Sequence, residues 1–165
     1  SINASKISDQ SMEDWRENFS VTLDAAFIGT KTVLPSMIKN KKGSIVNVSS
    51  VVGLRGTNFL AAYGAAKAGL INFTQTSAIE AAPHVRVNCI APGAVMTPAT
   101  MAALPTAELI ESTANSIPLK RIAEPEEIAA IINFLLCSDS SYLTGICITA
   151  DGGKTTDLNA GISME

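Results

Sequence analysis

Hydrophobic positions along the chain fall into two alternating patterns. Helical spacing marks "WRENFSVTLDAAFIGTKTVLPSMIK" (15–39), which follows Ser11 and an Asp14 three residues later, a capping-box-like start. Pro35 near its end predicts a kink or break. "GSIVNVS" (43–49) is a continuous β-branched run bounded by Gly43 and a serine pair, and predicts a buried strand. A helix is predicted over roughly 59–81, ending before Pro83, then a second strand over "VRVNCIAPG" (85–93), stopped by Pro-Gly. Helical stretches follow at 106–116 and from Pro125, with Glu126 and Glu127 in the first turn, to Cys137. "GICITADGG" (145–153) is the third strand. Strands alternating with helices predict a parallel sheet covered on both faces, and such sheets bind ligands beyond the carboxyl ends of their strands.

Composition narrows the class. The chain has 165 residues, 47% hydrophobic and 16% charged, which suits one ordinary globular domain. Its net charge of −3, with basic residues dispersed apart from "KNKK" (39–42), argues against a nucleic-acid partner. "IAAIINFLLC" (128–137) is too short to span a bilayer, and no signal peptide is evident, so no membrane partner and a cytoplasmic location are expected. Cys89, Cys137 and Cys147 each sit in an apolar run without C-x-x-C spacing and are expected to be reduced core residues, with no metal site. His84, at a turn before a strand, is given no role.

The chemistry concentrates in "SSVVGLRGTNFLAAYGAAK" (49–67). Tyr63 and Lys67 are four residues apart and share a helical face. A phenol with a pKa of about 10 is a poor acid–base catalyst at neutral pH, and bringing it to about 7 needs roughly 4 kcal/mol of preferential stabilisation of the phenolate. A nearby ammonium is an obvious source. The small neighbours Ala61, Ala62, Gly64, Ala65, Ala66 and Ala68 leave room for something flat and large. Tyr-x-x-x-Lys by itself also occurs on many solvated helices. The strand-end rule groups it with Ser49 and Ser50, where the first strand ends, and with "APGAVMT" (91–97), where the second ends.

"GSIVNVSS", a serine thirteen residues before the tyrosine, "YGAAK", "VRVNCIAPGAVMT", "RIAEPEEIA" (121–129) and "YLTGICITADGG" occur in order, and from about residue 11 to 153 the chain closely resembles the short-chain dehydrogenase/reductase family. The resemblance implies an α/β fold, a three-layer Rossmann-like doubly wound parallel sheet, of which only the last three strands and flanking helices are here, as one partial domain over 1–165. It implies an NAD(P)-dependent oxidoreductase, 3-oxoacyl reductase-like or related, that interconverts a secondary alcohol and a ketone. Tyr63 would be the general acid or base. Ser50, favoured over Ser49 by the spacing, would hydrogen-bond the substrate oxygen. Lys67 would lower the tyrosine's pKa and hold the ribose of NAD or NADP. Pro92 and Gly93 would shape a turn beneath the nicotinamide, with Val95 and Thr97 contacting its carboxamide. Pro-Gly is equally an ordinary turn.

Two departures stand out. The family's relay asparagine falls on Thr22, whose hydroxyl lacks the amide's separate donor and acceptor. Asn18, Asn47 and Asn88 do not align with it and are expected to be surface or strand-end hydrogen-bonding residues. No G-x-x-x-G-x-G or Asn-Asn-Ala-Gly occurs, and the chain opens on Ser1, so the expectation is the C-terminal part of a longer protein whose edge strand "GSIVNVSS" lacks a neighbour. The resemblance also implies a homodimer or homotetramer, because the family's helices equivalent to 11–40 and 59–81 pack against a partner subunit. An apolar face with Phe27, Val33, Leu34 and Met37 suits that, and suits an ordinary core equally. The rival reading is an inactive fragment acting as a dimerisation or interaction module. The segment 96–120, at the family's substrate-covering loop, suggests a moderately apolar alcohol or ketone.

Overall fold

A computed structural model of the chain describes residues 4–157. Ser1 and the last residues of the domain expected over 1–165 lie outside the described residues. The chain opens with α1 (Met12–Phe19), where Ser11 Oγ accepts from the Asp14 backbone N–H at 3.0 Å and donates to the Asp14 carboxylate at 2.7 Å. A single wide helical turn over Ser20–Asp24, in which the Ala25 N–H reaches back to the Ser20 carbonyl, leads into α2 (Ala25–Lys39). The irregularity therefore sits around Thr22, and α2 runs through Pro35 without the break that was one of the two outcomes expected there. Proline removes one helical hydrogen bond, but Leu34 and Met37 on either side of it pack into the core while Pro35 itself lines a surface groove.

The sheet holds β1 (Gly43–Val48), β2 (Val85–Pro92) and β3 (Cys147–Ala150), all parallel in the order β1-β2-β3. α3 (Ala61–Ala81) connects β1 to β2. α4 (Pro98–Ala103), α5 (Ala107–Asn115) and α6 (Pro125–Leu136) lie between β2 and β3. Two elements are shorter than their sequence patterns because backbone with positive φ interrupts them. Phe59 at 68° delays the start of α3, and Gly145, Gly152 and Gly153 at 76°, 63° and 89° bracket β3. α4 was not anticipated, although Thr97 at its N-cap and Pro98 at its first position are ordinary start signals.

The layers follow from side-chain alternation along β1. Ile45 joins Leu34 and Met37 of α2 and Ala78 and Ala81 of α3 around Val85 and Val87 of β2. Ser44, on the opposite face, donates to the Leu135 carbonyl of α6 at 2.9 Å. The result is a three-layer, doubly wound arrangement. Ile90, Val87 and Leu135 are fully buried, each contributing on the order of 2 kcal/mol by transfer from water.

Of the asparagines expected at the surface or as strand-end hydrogen-bonding residues, Asn18, Asn47 and Asn88 are all buried, and Asn47, one residue from the end of β1, fits the strand-end reading. Asn47 donates to Thr74 Oγ1 at 2.9 Å, and Asn18 to the Asp14 carbonyl at 2.8 Å. Asn88 donates to the Leu143 carbonyl at 2.8 Å and accepts from the Ile146 N–H at 3.2 Å, fastening the approach to β3 against β2. The cysteines also divide, since only Cys89 is fully buried. Cys147 is half-buried, and Cys137 is exposed because it caps the C-terminus of α6.

Candidate active site

The carboxyl ends of β1 and β2 bring the expected residues to one edge of the sheet. Beyond Val48, the Ser49 N–H pairs with the Ile90 carbonyl at 2.8 Å and its hydroxyl donates to the Lys67 carbonyl at 2.8 Å. Ser49 is buried and committed to tying β1 to α3. Ser50 is extended and accepts from the Val52 N–H at 3.4 Å, starting a short turn over Val51–Gly53. That turn lies hard against α3. A Cβ on Gly53 would come within 2.8 Å of the Lys67 carbonyl carbon, and one on Gly64 within 3.1 Å of the Val52 oxygen. Glycine at both positions lets Ser50 approach Tyr63.

Tyr63 occupies the first turns of α3, with the Ser50 side chain close enough to act on its phenol. Burial raises the Tyr63 pKa above its usual value, and Ser50 opposes the rise. One turn on, the Lys67 ammonium lies 5.5 Å from the Tyr63 ring centroid and donates to the Val48 carbonyl at 2.8 Å. Burial lowers the lysine's pKa, opposed by the charge of Cys89. The direction of the phenol's shift is thus set by its burial, while the Lys67 ammonium is turned to a backbone carbonyl.

The second strand end is pinned from below. Pro92 closes the β2 ladder opposite Ala150, and the Gly93 N–H bonds the Ala150 carbonyl at 2.9 Å. A Cβ on Gly93 would meet Asp151 Cβ at 2.8 Å, so glycine is needed at this turn. Val95 forms a parallel bridge with Ala123, and Met96 N–H bonds the Ala123 carbonyl at 2.8 Å. Thr97 Oγ1 already accepts from the Thr100 N–H at 3.2 Å as the cap of α4, and shares a 3.1 Å bond with the Thr100 hydroxyl. The 121–129 motif supports this segment: Arg121 makes a two-pronged ion pair with Glu127 at 2.6 and 2.7 Å, and Glu127 also accepts from the Glu124 N–H at 2.9 Å. This pair holds Glu127 down to about 2. Its role as a brace beneath the 94–97 segment was not visible from the sequence, where the arginine and glutamate lie six positions apart across a proline.

The layered parallel sheet with polar groups gathered at its carboxyl edge places the chain in the doubly wound α/β class. Residues 2–155 match the family model described as enoyl-(acyl carrier protein) reductase. The chain is 46% identical over 142 residues to the 3-oxoacyl-(acyl-carrier-protein) reductase of Thermotoga maritima, covering 86% of this chain and 57% of that enzyme. It is 39% identical to the trans-4-hydroxycyclohexanecarboxylate dehydrogenase of Sinomonas cyclohexanicum, covering 93% of this chain and 56% of the other. Among solved structures, the aldohexose dehydrogenase of Thermoplasma acidophilum superposes with a TM-score of 0.91 at 31% identity, over 98% of this chain and 66% of that one. The protein belongs to the short-chain dehydrogenase/reductase family. It spans less than two thirds of the length of these relatives.

Proposed function

We propose that the chain supplies the proton-transfer half of an NAD(P)-dependent oxidoreductase that interconverts a secondary alcohol and a ketone, of the 3-oxoacyl reductase kind or a near relative. The observation that carries this reading is the convergence of Ser50, Tyr63 and Lys67 at the carboxyl edge of the parallel sheet. The relatives include reductases and dehydrogenases of carbonyl and alcohol substrates, and one similar structure is of a 4-hydroxyisoleucine dehydrogenase mutant complexed with NADH and succinate.

The donor set suits the nicotinamide end of such a cofactor. Lys67 and Tyr63 supply an ammonium and a hydroxyl for ribose oxygens, while Pro92, Gly93, Val95 and Thr97 form a braced wall for the ring and its carboxamide. The sequence offers no glycine-rich turn for the pyrophosphate. When bound, the nicotinamide supplies or receives the hydride. Tyr63, whose pKa burial raises, gives its proton to the ketone oxygen in reduction and takes it back in oxidation. Ser50 donates to that same oxygen as negative charge grows there. Lys67 favours the phenolate once the proton has left. Thr22, at the wide turn, brings only a hydroxyl to any relay behind Lys67. The exposed Met101, Leu109 and Leu119 around α4 and α5 suit a moderately apolar substrate.

In the longest natural form of the protein, Tyr63→Phe should cut turnover about 10²–10⁴-fold while NAD(H) or NADP(H) still raises the melting temperature. Retained turnover would overturn the assignment of Tyr63. A second reading, a dimerisation module, draws on a groove of about 470 Å³ between α2 and α3 lined by Phe27, Leu34, Ile38 and Phe73, with Lys31 and Glu80 also on its walls. Dimerisation that persists while neither nucleotide binds would favour it.

A further inference from the structure

Cys89 and Cys147 have no part in the proton-transfer chemistry, yet the sheet sets them directly opposite one another on β2 and β3. Partners in a parallel register send their side chains to the same face. Cys89 is also in register with Asn47, whose side chain bonds Thr74 of α3, so both thiols lie on the α3 side of the sheet. Cys89 is fully buried and Cys147 half-buried, both are free, and each lies close enough to shift the other's pKa. Adjacent strands run about 4.8 Å apart, inside the ~4.4–6.8 Å span of Cα separations that a disulfide bridges.

We propose that Cys89 and Cys147 form a dithiol pair that a peroxide closes into a disulfide between β2 and β3, beneath α3 and beside Lys67. The chemistry balances within the pair and one named oxidant. The Cys89 sulfur, as thiolate, attacks a peroxide oxygen, the O–O bond breaks, and a sulfenic acid and water form from hydrogen peroxide. The Cys147 sulfur then attacks the Cys89 sulfur, the S–O bond breaks, and a second water leaves. Two thiols are oxidised and one peroxide is reduced to two waters. The division of labour follows from the contact. The neighbouring Cys147 thiol pulls the Cys89 pKa down against the rise from burial, with further help from the Ser49 backbone, the Thr74 hydroxyl and the Lys67 charge. The same contact pushes Cys147 up and keeps it a thiol until a sulfenic acid is presented to it. Lys67 lies close enough to Cys89 for a thiolate there to favour its ammonium, and closure of the disulfide leaves no such thiolate.

The test needs no substrate and is independent of the dehydrogenase reading. The reduced, folded chain is treated with hydrogen peroxide, quenched, denatured and alkylated with N-ethylmaleimide. The expected product has lost two hydrogens in mass, carries a single adduct at Cys137, and yields on digestion one cross-linked peptide pair containing Cys89 and Cys147. Cys147→Ser, with Cys147→Ala as a second variant should the first misfold, should lose the cross-link and leave no internal disulfide. Free Cys89 and Cys147 after Cys137 has been fully oxidised would overturn the proposal, and so would a cross-link that uses Cys137.

Discussion

β1 and β2 run side by side through six register pairs and are built from the same kinds of residue, yet they live in different surroundings. β2 has a strand on each side and helices on both faces, and Val85, Val87 and Cys89 through Ala91 are buried. Among the described residues β1 has β2 on one side only, its residues are mostly half-buried, and Val48 at its carboxyl end is 44% exposed. A β-branched run is enough to make a strand, but its neighbours decide how much of it leaves water. The difference reaches the candidate site. The Ser49 N–H faces β2, so by alternation the Val48 carbonyl faces the open edge, and there it is taken by the Lys67 ammonium. An inward-turned lysine is also a common way to blunt a strand edge. The candidate catalytic lysine and the edge of the sheet are thus coupled by one hydrogen bond.

The contrast is most sharply broken by removing matched hydrophobic groups. Ile90→Ala on β2 should cost about 3–4 kcal/mol in urea unfolding, because nothing nearby can fill the cavity, whereas Val48→Ala on β1 should cost less than about 1 kcal/mol. A Val48→Ala cost near that of Ile90→Ala would mean that the β1 edge is covered in solution. Polar groups sharpen the comparison at a smaller scale. Asn88→Ala on β2 strands the Ile146 N–H and leaves the Leu143 carbonyl only its 3.3 Å bond from Arg86, and should cost about 2 kcal/mol, while Asn47→Ala on β1 should cost about 1 kcal/mol, since Thr74 keeps its bond to Leu70. Thermal melts of the two variants compare them directly.

The smallest effect lies at the braced turn after β3. Burial pushes the Asp151 carboxyl up, but the Thr155 and Gly153 N–H groups, at 2.7 and 2.9 Å, bring it below its ordinary value, and Glu127 sits at about 2. Both carboxyls have folded-state pKa values below their unfolded ones. Their contribution is therefore present above about pH 4 and lost as the pH falls toward about 2. The melting temperature should decline across that window, and Asp151→Asn should flatten the decline slightly.

Much of the fold was legible because it rests on local rules. Ser11 with Asp14, the β-branched runs, and Pro125 followed by two glutamates each mark an element by what the backbone needs there. The candidate site was legible as a spacing, because i and i+4 on a helix share a face wherever the helix goes. Pro35 misled, since the cost of one missing helical bond is decided by how Leu34 and Met37 pack, which the segment itself does not contain. Asn18 and Asn88 misled for a similar reason. Amide side chains look like surface residues until another strand or helix supplies their partners. The Phe59 backbone, at positive φ without being glycine, gave no signal at all.

By itself, then, the sequence determined the order of strands and helices, the family, and the identity of the residues at the carboxyl edge of the sheet, because these depend on periodicity, caps and spacing within short stretches. Only the tertiary structure decided that the Ser49 hydroxyl is tied to the Lys67 carbonyl, that burial pushes the Tyr63 phenol up, and that Cys89 and Cys147, far apart in the chain, lie side by side. Each of those depends on which groups leave water together, and that is a property of packed elements rather than of any one of them.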